Sequence, residues 1–106
     1  MRAIRAGFME AKQLTGKQKR HLRGLGHALD PVVAVGRGGS TEAVAQKARV
    51  ELDNHELIKV KVCEGEVKVV GAWLAEQTSS ALVQVLGKTV LLYKRRGRDP
   101  QITLPV

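Results

Sequence analysis

An apolar run, Val32 to Val35, leads straight into the glycine cluster Gly36-Arg37-Gly38-Gly39 and from there into a segment of helical spacing. That succession constrains the fold more than any other part of the chain. Asp30-Pro31 marks a turn, because proline lacks an N–H and fixes φ. The run after it reads as a short buried strand. Thr41 is placed to cap a helix of roughly Glu42 to Asn54, with Val44, Ala45, Ala48 and Leu52 facing inward. Glu42 in the first turn suits the positive end of the helix dipole.

The rest of the chain repeats this alternation. Thr15 is an N-cap for a helix over Lys17 to His27, where Gln18, Leu22, Leu25 and Leu29 share a face and Lys17, Lys19, Arg20 and Arg23 show on the other. Gly24 and Gly26 weaken that helix by propensity, so packing must hold it. Leu57-Ile58-Lys59-Val60-Lys61-Val62 is a strand, its second half alternating apolar and basic residues. Glu66 to Thr78 is a helix burying Val69, Val70, Trp73 and Leu74. Ala81–Leu86 and Thr89–Tyr93 form a hairpin around Gly87-Lys88. Gln101 to Leu104 is expected as a last short strand. The order α-β-α-β-α-β-β implies a single α+β domain, a four-stranded mixed sheet with helices packed on it. Residues 1–13 read as a flexible N-terminal extension and residues 14–106 as the domain.

Charge is the informative part of the composition. The chain holds 18 Lys and Arg against 10 Asp and Glu, and the surplus is segregated. Residues 1–37 carry eight basic and two acidic side chains, residues 38–87 five and seven, and residues 88–98 five and none. If the two basic ends meet in space, they form one cationic face suited to a polyanion. No apolar run reaches the length of a membrane span, and the N-terminus lacks the pattern of a secretory signal. The single Cys63 fits a reducing compartment and reads as a small core residue, so a cytoplasmic location is expected.

A glycine turn between a strand and a helix N-terminus has a direct chemical use. Glycines let a ligand backbone come close, the first helical N–H groups favour an anion, and Arg37 offers a forked donor matched to phosphate. Nucleotide motifs are a poor match. A P-loop needs a Lys immediately before its Ser or Thr, and here Gly39 precedes Ser40. A dinucleotide fingerprint needs glycine where Thr41 stands. Catalysis is not expected either. His21, His27 and His55 lack metal-ligand spacing, Cys63 is isolated, and no acid pair stands out, so no catalytic residue, metal or cofactor is assigned. An RNA-binding protein, a DNA-binding protein and an adaptor for an acidic partner all remain compatible with these residues.

The stretches Leu14–Arg23, Pro31–Gly39, His55–Lys61, Gly87–Arg95 and Ile102–Pro105 together resemble the CRM domain (chloroplast RNA splicing and ribosome maturation) in its stand-alone bacterial YhbY-like form. The resemblance runs over about residues 14–105 in the same order and spacing. It implies a fold similar to the C-terminal domain of bacterial translation initiation factor three, and a GxxG loop at Gly36–Gly39 compared with that of KH domains. It also implies association with precursors of the large ribosomal subunit, as in bacterial members; plant relatives act in group II intron splicing. One departure is Ser40, where the family usually has an apolar residue such as Leu.

The only aromatic residues are Phe8, Trp73 and Tyr93, so a platform for stacking single-stranded bases is not expected. The expected ligand is structured RNA, held by its backbone and shape, in a pre-ribosomal particle and by a monomer. The expected contacts are Gly36, Arg37, Gly38, Gly39, Ser40 and Thr41 in the loop, Lys17, Lys19, Arg20 and Arg23 on the first helix, and Lys94, Arg95 and Arg96 after the last strand. The helix and the Lys94–Arg98 segment are both expected to lie beside the loop.

Overall fold

The computed structural model describes residues 14–106; the expected N-terminal extension, residues 1–13, lies outside the described residues. The elements are α1 (Gly16–Gly26), β1 (Pro31–Val35), α2 (Glu42–His55), β2 (Leu57–Val62), α3 (Val67–Thr78), β3 (Ala81–Leu86) and β4 (Thr89–Tyr93). The strands make one mixed sheet in the order β1-β2-β4-β3. β1 and β2 are parallel, as the α2 crossover requires, and the other two pairs are antiparallel.

The caps expected from sequence are present. Thr15 Oγ1 accepts from the Gln18 N–H at 3.1 Å while Gln18 Oε1 accepts from the Thr15 N–H at 3.0 Å, a reciprocal box that starts α1. Thr41 Oγ1 accepts from the Val44 N–H at 3.3 Å and starts α2.

Strand alternation then divides the interior into two cores. On one face Val33, Val35, Ile58, Val60, Val90 and Leu92 meet Ala45, Ala48 and Leu52 of α2 and Val70, Leu74 and Ala75 of α3. On the other, Leu57, Ala81, Val83, Leu91 and Tyr93 meet Leu22 of α1, flanked by Leu14, Leu29, Ile102 and Leu104. One helix therefore covers what two cover opposite. Close approach sets where it sits: a Cβ on Gly26 would come within 2.7 Å of Leu91 Cδ2, so only glycine lets the end of α1 rest on β4.

The end of the sheet at Leu57 is tied by one carboxylate. Glu56, just after α2, is fully buried and has φ of 64°. Its Oε2 accepts from the Arg96 N–H at 2.9 Å, and its Oε1 from the N–H groups of Gln101 at 2.6 Å and Ile102 at 2.8 Å. Its own carbonyl accepts from the Lys94 N–H at 2.8 Å. Burial alone would raise the carboxyl pKa. The backbone donors of Arg96, Ile102 and Gln101, with the Arg96 charge, outweigh burial and hold it below the usual carboxylate value.

This clamp corrects the expectation of a last strand. Residues 101–106 have no regular secondary structure, because the donors a strand needs at Gln101 and Ile102 point to Glu56, and Pro100 and Pro105 have none. Ile102 and Leu104 still pack on the α1-side core. Four side chains also differ from expectation. Val32 of β1 is exposed, since β1 is an edge strand with only Val33 and Val35 inward. Leu25 lies on the flank of α1 rather than beneath it. Val69 is 65% exposed, because α3 turns Val70 and Leu74 inward instead. Cys63 is exposed just past the end of β2.

Candidate nucleic-acid interface

The glycine turn closes on itself through the Gly39 N–H, which donates to the Gly36 carbonyl at 2.9 Å. Gly38 and Gly39 have φ of 95° and 65°, values that make glycine the natural residue at both. Gly36 is different. Its φ is not positive and an added Cβ would meet nothing within 4 Å, so the fold itself does not demand glycine there. Between these residues Arg37 is exposed, and Ser40 and Thr41 are exposed at the start of α2. The acid nearest in the helix, Glu42, is drawn along α2 by Arg49 Nη1 at 2.8 Å. The loop thus presents a charged tip, a bare backbone and the positive end of a helix on one surface.

The register shows what surrounds the loop. The Cys63 N–H donates to the Val35 carbonyl at 2.8 Å, and the Val62 N–H to the Lys88 carbonyl at 2.7 Å. The glycine turn and the Gly87-Lys88 hairpin therefore share one end of the sheet. Lys94 follows Tyr93, which pairs with Leu57 at the opposite end. At about 3.3 Å per residue the six-residue β2 separates the two ends by roughly 17 Å. The Lys94–Arg98 segment does not lie beside the loop, as the sequence suggested, because β4 runs antiparallel to β2 and carries its C-terminus away. Arg96 is also committed to the chain: its Nη1 donates to the Asp53 carbonyl at 3.1 Å and its Nη2 to the Asp99 carbonyl at 2.7 Å. Lys94 and Arg95 are exposed.

The helix α1 does not lie directly beside the loop as expected: Leu22 packs with Leu57, Ala81 and Tyr93 at the far end of the sheet, and only the end of the helix at Gly26 reaches Leu91 in mid-sheet. Leu22 and Gly26 point at the sheet, which leaves Lys17 and Arg20 exposed and Lys19 and Arg23 half-buried on a flank. Lys17 Nζ touches the Val106 carbonyl at 3.5 Å, near the start of the helix. Among the described residues, none of Lys17, Lys19, Arg20, Arg23 or Arg37 pairs with a carboxylate; the ion pairs join Lys47 and His55 to Glu51 and Arg49 to Glu42.

Three basic residues near the loop were not singled out from sequence. Lys59 and Lys61 alternate with Ile58, Val60 and Val62, so both lie on the α1 side of the sheet, and Lys88 is at the hairpin tip. The signal was the alternation itself, which places two lysines on one face of a strand. Among the described residues there is no group of three or more His, Cys, Asp or Glu able to hold a metal. No described helix is long and apolar enough to cross a membrane.

The arrangement defines a small α+β binding module with a cationic, glycine-tipped end. The chain belongs to the CRS1/YhbY (CRM) domain family, whose model matches residues 14–94. It is 42% identical to the probable RNA-binding protein YqeI of Bacillus subtilis, over 87% of this chain and 99% of that one. It is 41% identical to an RNA-binding protein of Haemophilus influenzae, over 87% and 95% of the two chains. The solution structure of a Staphylococcus aureus protein, described as a candidate RNA-binding protein, superposes with a TM-score of 0.76 at 41% identity, covering 88% of this chain and all of that one. All three of these relatives carry names or descriptions of RNA-binding proteins.

Proposed function

We propose that this protein binds structured RNA through Gly36–Thr41 and the basic face of α1, and that its target is precursor ribosomal RNA of the large subunit. The observation that carries the reading is the glycine turn: Arg37 stands at its tip with no carboxylate partner among the described residues, and Gly36 keeps a bare backbone that the fold does not require. A phosphodiester backbone can approach such a surface where a side chain would hold it off. The names of the relatives support RNA as the polymer. The same reading makes the loop a KH-like GxxG element and the protein a cytoplasmic, monomeric assembly factor that acts within a pre-ribosomal particle. Lys94 and Arg95, which follow Tyr93 at the far end of the sheet, lie outside this surface.

Filter binding tests the polymer and the loop together. Structured ribosomal RNA should be preferred to duplex DNA, with log affinity falling by about 0.7–0.9 per phosphate contact for each unit of log salt. Arg37→Glu with Gly38→Asp should abolish binding while the thermal melt stays cooperative. Equal affinity for DNA would refute RNA as the target, and undiminished binding by the variant would refute the loop. Cosedimentation with precursor large subunits rather than mature ribosomes is the expected cellular result.

A further inference from the structure

The sheet carries one cationic surface that neither the loop nor α1 includes. β2 is an interior strand, hydrogen-bonded to β1 on one side and β4 on the other. Interior strands are usually covered on both faces by apolar residues. Here the α1-side positions after Leu57 are Lys59 and Lys61. Lys59 stands in register with Pro31 and Leu91, and Lys61 with Ala34 and Thr89; Asp30 lines the same hollow as Lys59 but forms no ion pair with it. The exposed Val32 and Ala34 share this face. α1 ends where Gly26 rests on Leu91, in the row of the half-buried Lys59, and among the described residues no helix extends over the exposed Lys61 row beyond it. A shallow hollow lined by Gly26, His27, Lys59, Gln84 and Thr89 separates the end of the helix from the hairpin.

Three further facts narrow what this face can meet. Among the described residues, no carboxylate pairs with Lys59, Lys61 or Lys88. Glu66 turns to α3, where its Oε1 accepts from the Lys68 N–H at 3.2 Å, while the Glu64 N–H donates to the Val35 carbonyl at 3.2 Å beside the glycine turn. Among the described residues no aromatic side chain is exposed on the lysine face: Tyr93 is buried at the far end, and Trp73 packs with the α2–α3 core. Lysines at alternate strand positions are about 6–7 Å apart, a row of point charges with no means of stacking a base.

We propose that this uncovered half of the sheet is a second phosphate-contact surface, on which Lys59, Lys61 and Lys88 hold the backbone of double-helical RNA between the glycine loop and the basic face of α1. The inference rests on the RNA reading above and replaces the C-terminal segment with the sheet as the loop's partner. The surface is read by charge and shape, so it adds affinity without sequence preference.

The test compares Lys59→Gln/Lys61→Gln with Lys94→Gln/Arg95→Gln, using a ribosomal RNA hairpin and fluorescence anisotropy across salt. Loss of two phosphate contacts should lower the salt slope by about 1.4–1.8 and the affinity at 0.1 M salt by roughly 10- to 50-fold. The C-terminal pair should change the slope little. A measurement on the unaltered protein guards against misfolding of a variant: bound RNA should protect Lys59 and Lys61 from acylation, read by mass spectrometry. An unchanged slope, or lysines acylated equally with and without RNA, overturns the sheet contact and shows the two lysines only solubilise the strand. If Arg37→Glu with Gly38→Asp still abolishes binding in that case, the loop reading survives alone. If the unaltered protein binds no RNA at any salt, both fall together.

Discussion

The two ends of the sheet are built from similar residues and put to opposite uses. At the Val35–Val62 end, Arg37, Lys61 and Lys88 have no carboxylate partner among the described residues, around a turn whose backbone is open. At the Leu57–Tyr93 end, Arg96 is consumed by the carbonyls of Asp53 and Asp99, and three neighbouring N–H groups are consumed by Glu56. A basic residue is free for a ligand only where the chain has left it unpaired. The count of Lys and Arg in a segment says nothing about that, and the two clusters looked alike until their partners were visible.

The sharpest way to break the comparison is to remove the clamp. Glu56→Ala leaves three part-buried N–H donors without their acceptor and should cost about 2–4 kcal/mol, a large share of the stability of a domain this size. Urea unfolding would check it, and a loss under about 1 kcal/mol would mean the tail is held by Ile102 and Leu104 alone. Acidification should act on the same group. Its folded pKa lies below the usual value of 4.5, so its contribution is complete above that pH and fades as pH falls through the folded value. The stability gap between the native protein and Glu56→Gln should therefore be constant above about pH 5 and shrink below pH 4.5. A gap that did not change with pH would show that the carboxylate charge is immaterial to the clamp.

A smaller effect separates the two arginines. Arg96→Ala removes two bonds to carbonyls and should lower stability by about 1–2 kcal/mol. Its RNA affinity should change less than that of Arg37→Ala, whose stability should stay within about 0.5 kcal/mol of the native value. Calorimetry and anisotropy on the pair give the answer, and a reversed pattern would undo the contrast between the ends. The smallest effect is at Gly36. Gly36→Ala fits the open space and the ordinary φ, so stability should hold or rise slightly. RNA affinity should fall about three- to tenfold, because the added methyl stands where the phosphate backbone approaches. Unchanged affinity would move the close contact away from Gly36.

Much of the fold was legible because the signals are local. Thr15 with Gln18 and Thr41 with Val44 announce helix starts within a single turn of chain, and Gly87-Lys88 announces a hairpin between two apolar runs. The glycine turn was legible for the same reason, since Gly38 and Gly39 answer a local backbone demand. What escaped was long-range. Glu56 is one acid among several near the end of α2, and its role appears only when residues 96–102 fold back onto it. That return also removed the expected last strand. Lys59 and Lys61 were visible as an alternation, but whether their face is covered depends on where α1 stops, and Gly26 against Leu91 decides that across a span of 65 residues.

By itself the sequence determined the elements, their order, the cationic character and the glycine turn, because caps, periodicity and charge act over a few residues. Tertiary structure alone decided which basic residues share a surface. Antiparallel pairing of β4 with β2 sends Lys94 and Arg95 to one end of the sheet and leaves Lys88 beside the loop at the other. Charges close in sequence are thereby parted, and charges far apart in sequence are brought together.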